Sequence, residues 1–198
     1  MKKAFSNFKQ FISPFGLKDA DYNTLIKYCD LVQCKKGEII MKEGEKQSNL
    51  YFICKGIIRY FVVSNEGQVN TYGFRMENTL VTGYAQHNYR KDYRAEVNVE
   101  CLEDCELIEI PYEATKFIES ISPDAQKVAR YLAENHIIEL VKFIKELDTK
   151  SILERYHELT EIYPGIHQRI TQQVIASYLR TTPVHLSRIK KARIRINI

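Results

Sequence analysis

The sequence predicts an α+β protein in which a β-rich region precedes one long helix, and two short helices joined by a tight turn follow. Three features carry this prediction. They are β-branched and aromatic runs between residues 31 and 112, an apolar heptad pattern within 114–148, and a pair of capped helices after residue 170. The expected division of the chain is 1–113, 114–148 and 149–198.

The β-rich region consists of short apolar runs separated by turn signals such as Lys36-Gly37, Lys55-Gly56 and Asn65-Glu66-Gly67. Many short strands at this spacing are typical of a β-sandwich or barrel. Residues 1–30, which come before them, have a helical pattern. The predicted strands are Glu38–Met41, Leu50–Ile53, Ile57–Val63, Val69–Phe74, Ala95–Val99 and Glu106–Ile110.

The long helical pattern has a start or restart signal at Ser122-Pro123-Asp124, and no glycine or proline follows until Pro164. A helix with two apolar stripes can pack on its own domain and on a second copy of the chain, which predicts a homodimer; the alternative is a core helix buried within one chain. A second stripe is formed by Val128, Tyr131, Leu132, Ile138 and Val141. The heptad seam is formed by Ala133, Ile137, Leu140, Ile144 and Leu147.

The last helix pair has the spacing of a helix-turn-helix. Thr171 is placed to cap a first helix over about 172–179, and Thr182 followed by Pro183 is typical of the start of a second helix. Arg180 occupies a turn position that glycine often holds, so a less favourable backbone geometry is expected there. The alternative is an ordinary two-helix hairpin with a basic face. The inward-facing residues are predicted to be Ile175, Ala176, Leu179, Leu186 and Ile189.

Charge is concentrated in the same part of the chain. The net charge is +4, but residues 150–198 hold nine lysines and arginines against three glutamates, and the remainder is slightly acidic. A basic module on an acidic body is typical of proteins that bind a polyanion. Together with the helix-turn-helix pattern, this charge predicts double-stranded DNA as the partner.

Within the second helix, Arg188 is the predicted reader of a guanine, Val184 of a thymine methyl group, and Ser187 of a base or phosphate. Other polar and basic residues are expected to contact backbone phosphates. The residues predicted to bind DNA are Thr171, Gln172, Thr182, Pro183, Val184, Ser187, Arg188, Lys190 and Lys191.

The cysteines and histidines give little indication of a metal or catalytic site. The five cysteines are an odd number without a Cys-x-x-Cys pair, which favours reduced thiols over a redox role for Cys101 and Cys105. A metalloenzyme of the cupin type would need two or three histidines in its barrel, and the β-rich region holds only His87. No enzyme activity, metal or cofactor is therefore predicted.

The sequence also gives no indication of a membrane partner. No stretch approaches the roughly 20 apolar residues that a membrane span requires. The first nine residues, Met1–Lys9, lack the apolar core of a secretory signal, so a cytoplasmic protein is expected.

The order of these elements resembles the Crp/Fnr family of transcription regulators over nearly the whole chain. The marks of the resemblance are Lys36-Gly37-Glu38-Ile39-Ile40, Leu50-Tyr51-Phe52-Ile53 with Gly56, and Leu186-Ser187-Arg188-Ile189. The resemblance implies a cyclic-nucleotide-binding-type jelly roll, a homodimer through the long helix, and a winged helix-turn-helix that binds an operator. RNA polymerase is a further candidate partner.

The sensor site departs from that family's nucleotide-binding pattern. No glycine precedes Glu77, no alanine follows two residues later, and Arg94 stands one position off the family register. A slip of one residue in a strand turns a side chain to the opposite face. Cyclic AMP is therefore not expected as the ligand. Glu77, Asn78 and Arg94 are a possible pocket for an unknown small-molecule effector, or the domain binds no small ligand. A ligand-sensing jelly-roll protein without DNA binding is the alternative function.

Overall fold

A computed structural model describes residues 2–81 and 94–196 of the chain, with side chains as far as Lys191. The chain groups into two compact units. One consists of Met1–Tyr60 and Phe74–His136, and the other consists of Phe61–Gly73 and Ile137–Ile198. The division into 1–113, 114–148 and 149–198 stays a prediction.

The described residues form an α+β fold with two four-stranded sheets, in which the strand orders are β1-β8-β3-β6 and β2-β7-β4-β5. The strands are β1 (Asp30–Cys34), β2 (Ile39–Met41), β3 (Asn49–Lys55), β4 (Ile58–Val63), β5 (Val69–Arg75), β6 (Leu80–Val81), β7 (Asn98–Cys101) and β8 (Cys105–Pro111). The helices are α1 (Lys2–Ile12), α2 (Asp19–Leu25), α3 (Tyr112–Ile121), α4 (Pro123–Thr149), α5 (Ile152–Ile162), α6 (Ile166–Arg169), α7 (Gln172–Tyr178) and α8 (Pro183–Ile196).

Strand β3 is apolar at successive positions because both of its faces are covered. Its side chains alternate between the two faces of the sheet. Leu50 and Phe52 pack in the cluster that includes the N-terminal helices, whereas Tyr51 and Ile53 pack in the cluster between the sheets. Because both faces are covered, a continuous apolar run is favoured over alternation with polar residues. The predicted β-sandwich is confirmed.

The N-terminal helices cover the outer face of the sheet β1-β8-β3-β6. The ring of Phe8 in α1 lies 5.0 Å from that of Phe52 in β3 and 5.8 Å from that of Tyr22 in α2. These three side chains are buried, so the helical pattern predicted for residues 1–30 corresponds to a covering layer of the sandwich.

Three strands differ from the prediction: β7 begins later than expected, and β1 and the two-residue β6 are not predicted. The run Ala95–Val99 was expected to be a strand, but β7 begins only at Asn98. The backbone of Ala95 instead exchanges hydrogen bonds with Gly44 and Glu45 in the loop after β2. Strand β1 was missed, because Asp30 and Gln33 interrupt its apolar pattern and its pairing partner β8 lies far along the chain.

The segment 114–148 contains a helix break at Ser122, where the sequence places its start-or-restart signal. The backbone N–H of Ser122 donates to the carbonyl of Ile118 as α3 ends. Its hydroxyl accepts the N–H of Ala125 at 3.3 Å and donates to Asp21 at 2.7 Å. Ser122 therefore closes one helix and caps the next.

The wing implied by the resemblance is not seen among the described C-terminal residues. Residues 112–196 contain helices and turns but no strand, and α8 continues to Ile196 through the residues from which a following wing strand would come. The winged element implied by the resemblance therefore stays a prediction. The predicted helix over 150–162 is confirmed as α5, which Ser151 and Glu154 begin with a capping box.

Among the described glycines, Gly56 has the tightest surroundings, so its substitution is expected to destabilise the protein most. Gly56 has φ +116°, and a Cβ there would overlap the Sγ of Cys105 and lie 3.0 Å from its Cβ. Gly56→Ala is expected to lower the free energy of unfolding by about 2–4 kcal/mol, from backbone strain and overpacking together. Denaturant unfolding followed by circular dichroism measures this.

The matched control is Gly67→Ala, where φ is +79° and a Cβ would meet nothing within 4 Å. Only the strain of the left-handed backbone applies there, about 1 kcal/mol. Equal losses at the two glycines would contradict the packing argument.

Candidate nucleic-acid interface

The two helices of the motif begin at the residues that the sequence indicated. The Thr171 hydroxyl accepts the N–H of Val174 at 3.3 Å, and α7 starts at the next residue. The Thr182 hydroxyl accepts the N–H of His185 at 3.2 Å, and Pro183 is the first residue of α8. Both predicted caps are confirmed, because each hydroxyl satisfies an N–H that lacks a partner in the first helical turn.

The inner faces of α7 and α8 are apolar and closely packed. Ala176 is 1% exposed, and its carbonyl accepts the N–H of Thr181 at 3.0 Å, which closes the turn. A side chain larger than alanine would keep the second helix away. Of the five residues predicted to face inward, Ile175, Ala176, Leu179 and Leu186 are buried and Ile189 is half-buried.

Arg180 adopts the unfavourable conformation that its turn position requires, with φ +55°. Its guanidinium lies 4.7 Å from the ring centroid of Tyr72, which belongs to β5. A cation–π contact of this kind stabilises by about 0.5–1 kcal/mol. Arginine therefore makes a contact at this turn that glycine could not make.

The β4–β5 hairpin supplies further contacts to α7 within the second unit. Thr71 is fully buried, and its hydroxyl lies 2.6 Å from that of Ser177. The Phe143 ring lies 6.2 Å from that of Tyr72 and 5.7 Å from that of Tyr178. Burial raises the pKa of Tyr178 to about 12, so its hydroxyl stays protonated. Sequence reasoning missed this contact because Thr71 and Ser177 are 106 residues apart.

Arg155 holds the end of α7 from the side of α5. Its Nη2 donates to the carbonyl of Leu179 at 3.0 Å, at the residue where the turn begins. Burial lowers the pKa of this guanidinium below its usual range. A charged donor to a carbonyl at a helix C-terminus is favourable, so this bond stabilises the end of α7.

The outer face of α8 is exposed and without acidic residues. Val184 is 61% exposed, and Arg188 and Lys191 are exposed on the same face. No aspartate or glutamate occurs between residue 162 and the end of the chain. Thr171, Gln172, Thr182 and Pro183 are also exposed, whereas Ser187 is half-buried.

Two residues of this face differ from expectation. His185 is exposed beside Val184 and was not among the predicted contacts, although its spacing of three residues from Arg188 indicates the same face. Lys190 is half-buried, and its Nζ lies 4.9 Å above the ring of Tyr156 in α5. Its predicted role as a phosphate contact stays a prediction.

The heptad seam of α4 is uncovered within one chain. Ile137 and Ile144 are each 59% exposed and Leu140 is 43% exposed, while Ala133 and Leu147 at the two ends are half-buried. Ile138 and Val141 beside them are more than 60% exposed. The alternative of a core helix buried within one chain is therefore wrong for these residues.

The residues of the predicted ligand pocket form hydrogen bonds to different parts of the chain. A Glu77 carboxylate oxygen accepts the N–H of Gly56 at 3.0 Å, and the N–H of Asn78, which has φ +62°, donates to Ile53. The exposed Arg94 donates to the carbonyl of Gly44 at 2.8 Å. None of these bonds joins the Glu77 loop to Arg94. His87 lies outside the described residues.

The cysteines are free thiols, and three of them lie together in the sandwich. Cys34 pairs with Cys105 across β1 and β8, and both are buried with Cys101. A hydrogen bond between the thiols of Cys101 and Cys105 raises the pKa of Cys101, as does burial, and lowers that of Cys105. Within 2–81 and 94–196, no group of three or more His, Cys, Asp or Glu side chains is arranged to hold a metal ion.

Among the described helices, none combines the length and the apolar character needed to cross a membrane. The exposed apolar residues of α4 form a stripe on a helix that also carries charged side chains, such as Lys142 and Glu146, which are paired at 3.7 Å.

Comparison with known proteins agrees with this architecture. Residues 31–119 match the family model of the cyclic nucleotide-binding domain. No curated protein sequence matches the chain.

Solved structures match over most of the chain. A structure assigned to the Crp/Fnr family of transcriptional regulators, from Eubacterium rectale, is 20% identical with a TM-score of 0.72, covering 89% of this chain and 83% of that one. The c-di-GMP-responsive global regulator CLP of Xanthomonas campestris is 15% identical with a TM-score of 0.72, covering 91% and 93%. FixK2 of Bradyrhizobium japonicum is 14% identical with a TM-score of 0.74, covering 86% of each chain.

Identities at this level establish similarity of fold. The chain therefore combines a segment similar to cyclic nucleotide-binding domains with an architecture that it shares, over about nine-tenths of its length, with the Crp/Fnr-type regulator of Eubacterium rectale.

Proposed function

We propose that this protein is a sequence-specific, DNA-binding transcription regulator of the Crp/Fnr type. The observation that carries the proposal is the outer face of α8, which presents Val184, Arg188 and Lys191 to solvent with no acidic residue nearby in sequence. A helix with such a face, held against a second helix by a short turn, fits the major groove of B-DNA.

The side chains of this face divide into two roles. Arg188 donates two hydrogen bonds to the O6 and N7 of a guanine, and Val184 contacts a thymine methyl group. Ser187 contacts a base or a phosphate. The contacts that set position without reading sequence are made to phosphates by Thr171, Gln172, Lys190 and Lys191. Thr182 and Pro183, at the start of α8, also face the DNA.

The protein acts as a homodimer through the seam of α4. Exposed isoleucines and leucines at heptad positions are the arrangement that a coiled-coil partner covers. A two-fold dimer then reads two half-sites about 34 Å apart, in an operator of about 20 base pairs. RNA polymerase is a candidate partner of the DNA-bound dimer.

The match of residues 31–119 to the cyclic nucleotide-binding domain favours a second candidate function, that of a ligand sensor without DNA binding. An effector held by Glu77, Asn78 and Arg94 would have to displace their present bonds to Gly56, Ile53 and Gly44. Cyclic AMP is not proposed, because a cyclic phosphate needs a free arginine and backbone N–H groups directed at one point.

The first prediction concerns base reading. Arg188→Ala is expected to weaken binding to a duplex selected from a random-sequence library by about 1–3 kcal/mol, and to relax the preference at one position in each half-site. Lys191→Ala is expected to weaken binding to all sequences alike and to reduce the salt slope by about one. Fluorescence anisotropy titrations at several salt concentrations measure both effects.

The control is Lys116→Ala, which removes an exposed charge from α3 in the first unit and is expected to change neither affinity nor salt slope. Specific binding that survives Arg188→Ala with its preference intact would show that the roles are assigned wrongly. Absence of any DNA binding by the intact chain would favour the ligand-sensor function.

The second prediction concerns the dimer. Ile144→Glu places a charge in the seam and is expected to weaken dimerisation at least about tenfold, because an unpaired carboxylate would be buried between two helices. Light scattering over a dilution series measures the mass. Lys145→Glu, at the neighbouring exposed position, is the matched control and should leave the dimer intact. A wild-type monomer at micromolar concentration would contradict the proposal.

The third prediction concerns the hairpin contact. Thr71→Val and Ser177→Ala each remove one hydroxyl of the pair, and a double-mutant cycle is expected to give a coupling free energy of about 1 kcal/mol. Thr160→Val serves as the control, because that hydroxyl bonds only to the His157 carbonyl of its own helix. Additive effects of Thr71→Val and Ser177→Ala would show that the contact does not hold α7.

A further inference from the structure

A cavity of about 90 Å³ lies in the first unit, on the side of the sheet β1-β8-β3-β6 that faces the helices. Its walls come from α1, β3, β8, α3 and the first turns of α4, and are represented by Phe8, Leu50, Ile110, Ile118 and Leu132. The cavity is distinct from the Glu77 and Arg94 loops, and neither residue lines it.

Two of the residues by which α4 lines the cavity are alanines, whose short side chains leave room beneath the helix. Ala125 and Ala129, four residues apart on one helix face, both line it, and Val128 lies between them. Protein interiors usually pack so closely that few voids exceed the size of a water molecule. A space of this size in the main core cluster of the unit is therefore a feature that requires an explanation.

The space is partly open to solvent, but water is held weakly in its inner part, because an ordered water there needs two to four polar partners. The walls offer two polar side chains, Thr115 and Glu119. The Thr115 hydroxyl already donates to the carbonyl of Tyr112 at 2.8 Å. The remaining walls are apolar, and empty cavities with such walls bind apolar molecules.

Size and charge define the class of ligand. An engineered apolar cavity of about 150 Å³ holds benzene, so a space of 90 Å³ that is partly open to solvent suits a molecule of benzene size or smaller. Glu119, one of the lining residues, adds a negative charge that disfavours an anion. A nucleotide is both too large and too highly charged.

We propose that this cavity is a binding site for a small, neutral, apolar molecule of about the size of benzene. The site belongs entirely to the first unit, so it requires neither DNA binding nor a second chain. It goes beyond the proposed function, because it locates a ligand outside the inter-sheet core where the family pattern places a nucleotide.

The experiment uses benzene and benzoate as probes of the intact chain, with binding followed by ligand-observed and methyl-detected NMR. Benzene is expected to bind and to shift methyl signals of Leu50, Ile110 and Ile118. Benzoate has the same ring with a carboxylate, and it is expected to bind at least about tenfold more weakly. No saturable binding of benzene, or equal binding of the two probes, would overturn the proposal.

Variants test the location. Ala129→Leu fills the cavity from α4 and is expected to lower benzene affinity at least about tenfold. Val128→Met reaches the same space with a more adaptable side chain, and serves if Ala129→Leu does not fold. Ala20→Leu makes the same change as Ala129→Leu at an exposed position of α2, and should leave binding unchanged. Unchanged benzene binding in a folded filling variant would place the ligand elsewhere and sink the inference.

Discussion

The orientation of the predicted recognition helix depends on how the chain turns between Leu179 and Thr182. Leu186 can pack on the inner face only if the chain turns sharply after α7. At this turn Arg180 adopts a left-handed conformation, which costs about 1–2 kcal/mol. The cost is offset by the contacts that surround the turn: the cap at Thr182, the bond from Arg155 to the Leu179 carbonyl, and the stacking of Arg180 on Tyr72. The direction in which Arg188 points is therefore set largely by contacts around the turn, away from the exposed face of α8.

Local signals accounted for most of the helix-turn-helix and for most strands. Thr171, Thr182 and Pro183 act through bonds that span three residues, so their roles can be inferred from sequence alone. The contact of Thr71 with Ser177 and the position of β1 depend on pairing between distant parts of the chain, which no local pattern encodes. The predicted start of β7 was wrong for a related reason: Ala95 has strand-forming neighbours, but its backbone hydrogen bonds go to a loop.

In the first unit, polar groups of the predicted pocket are hydrogen-bonded, whereas a group of apolar side chains encloses a space. Two polar residues of the predicted pocket already have hydrogen-bond partners: Glu77 accepts from the N–H of Gly56, and Arg94 donates to the carbonyl of Gly44. The apolar side chains beneath α4 instead leave space between them. A bound molecule must recover the free energy of any bond that it breaks, so entering the apolar space is the less costly route for a ligand. The sequence did not indicate this cavity, because alanines are common in helices and whether they leave a space depends on the side chains that lie opposite.

In the proposed homodimer, the exposed apolar stripe of α4 would make stability depend on how much protein is present. Five branched or long aliphatic side chains there lie largely in water in a single chain, and covering them in an assembly removes that unfavourable hydration. If the homodimer proposed above forms, its thermal stability depends on protein concentration, because dilution favours the single chain with its stripe exposed. A cell that makes little of such a protein would hold it in a less robust form than a cell that makes much of it.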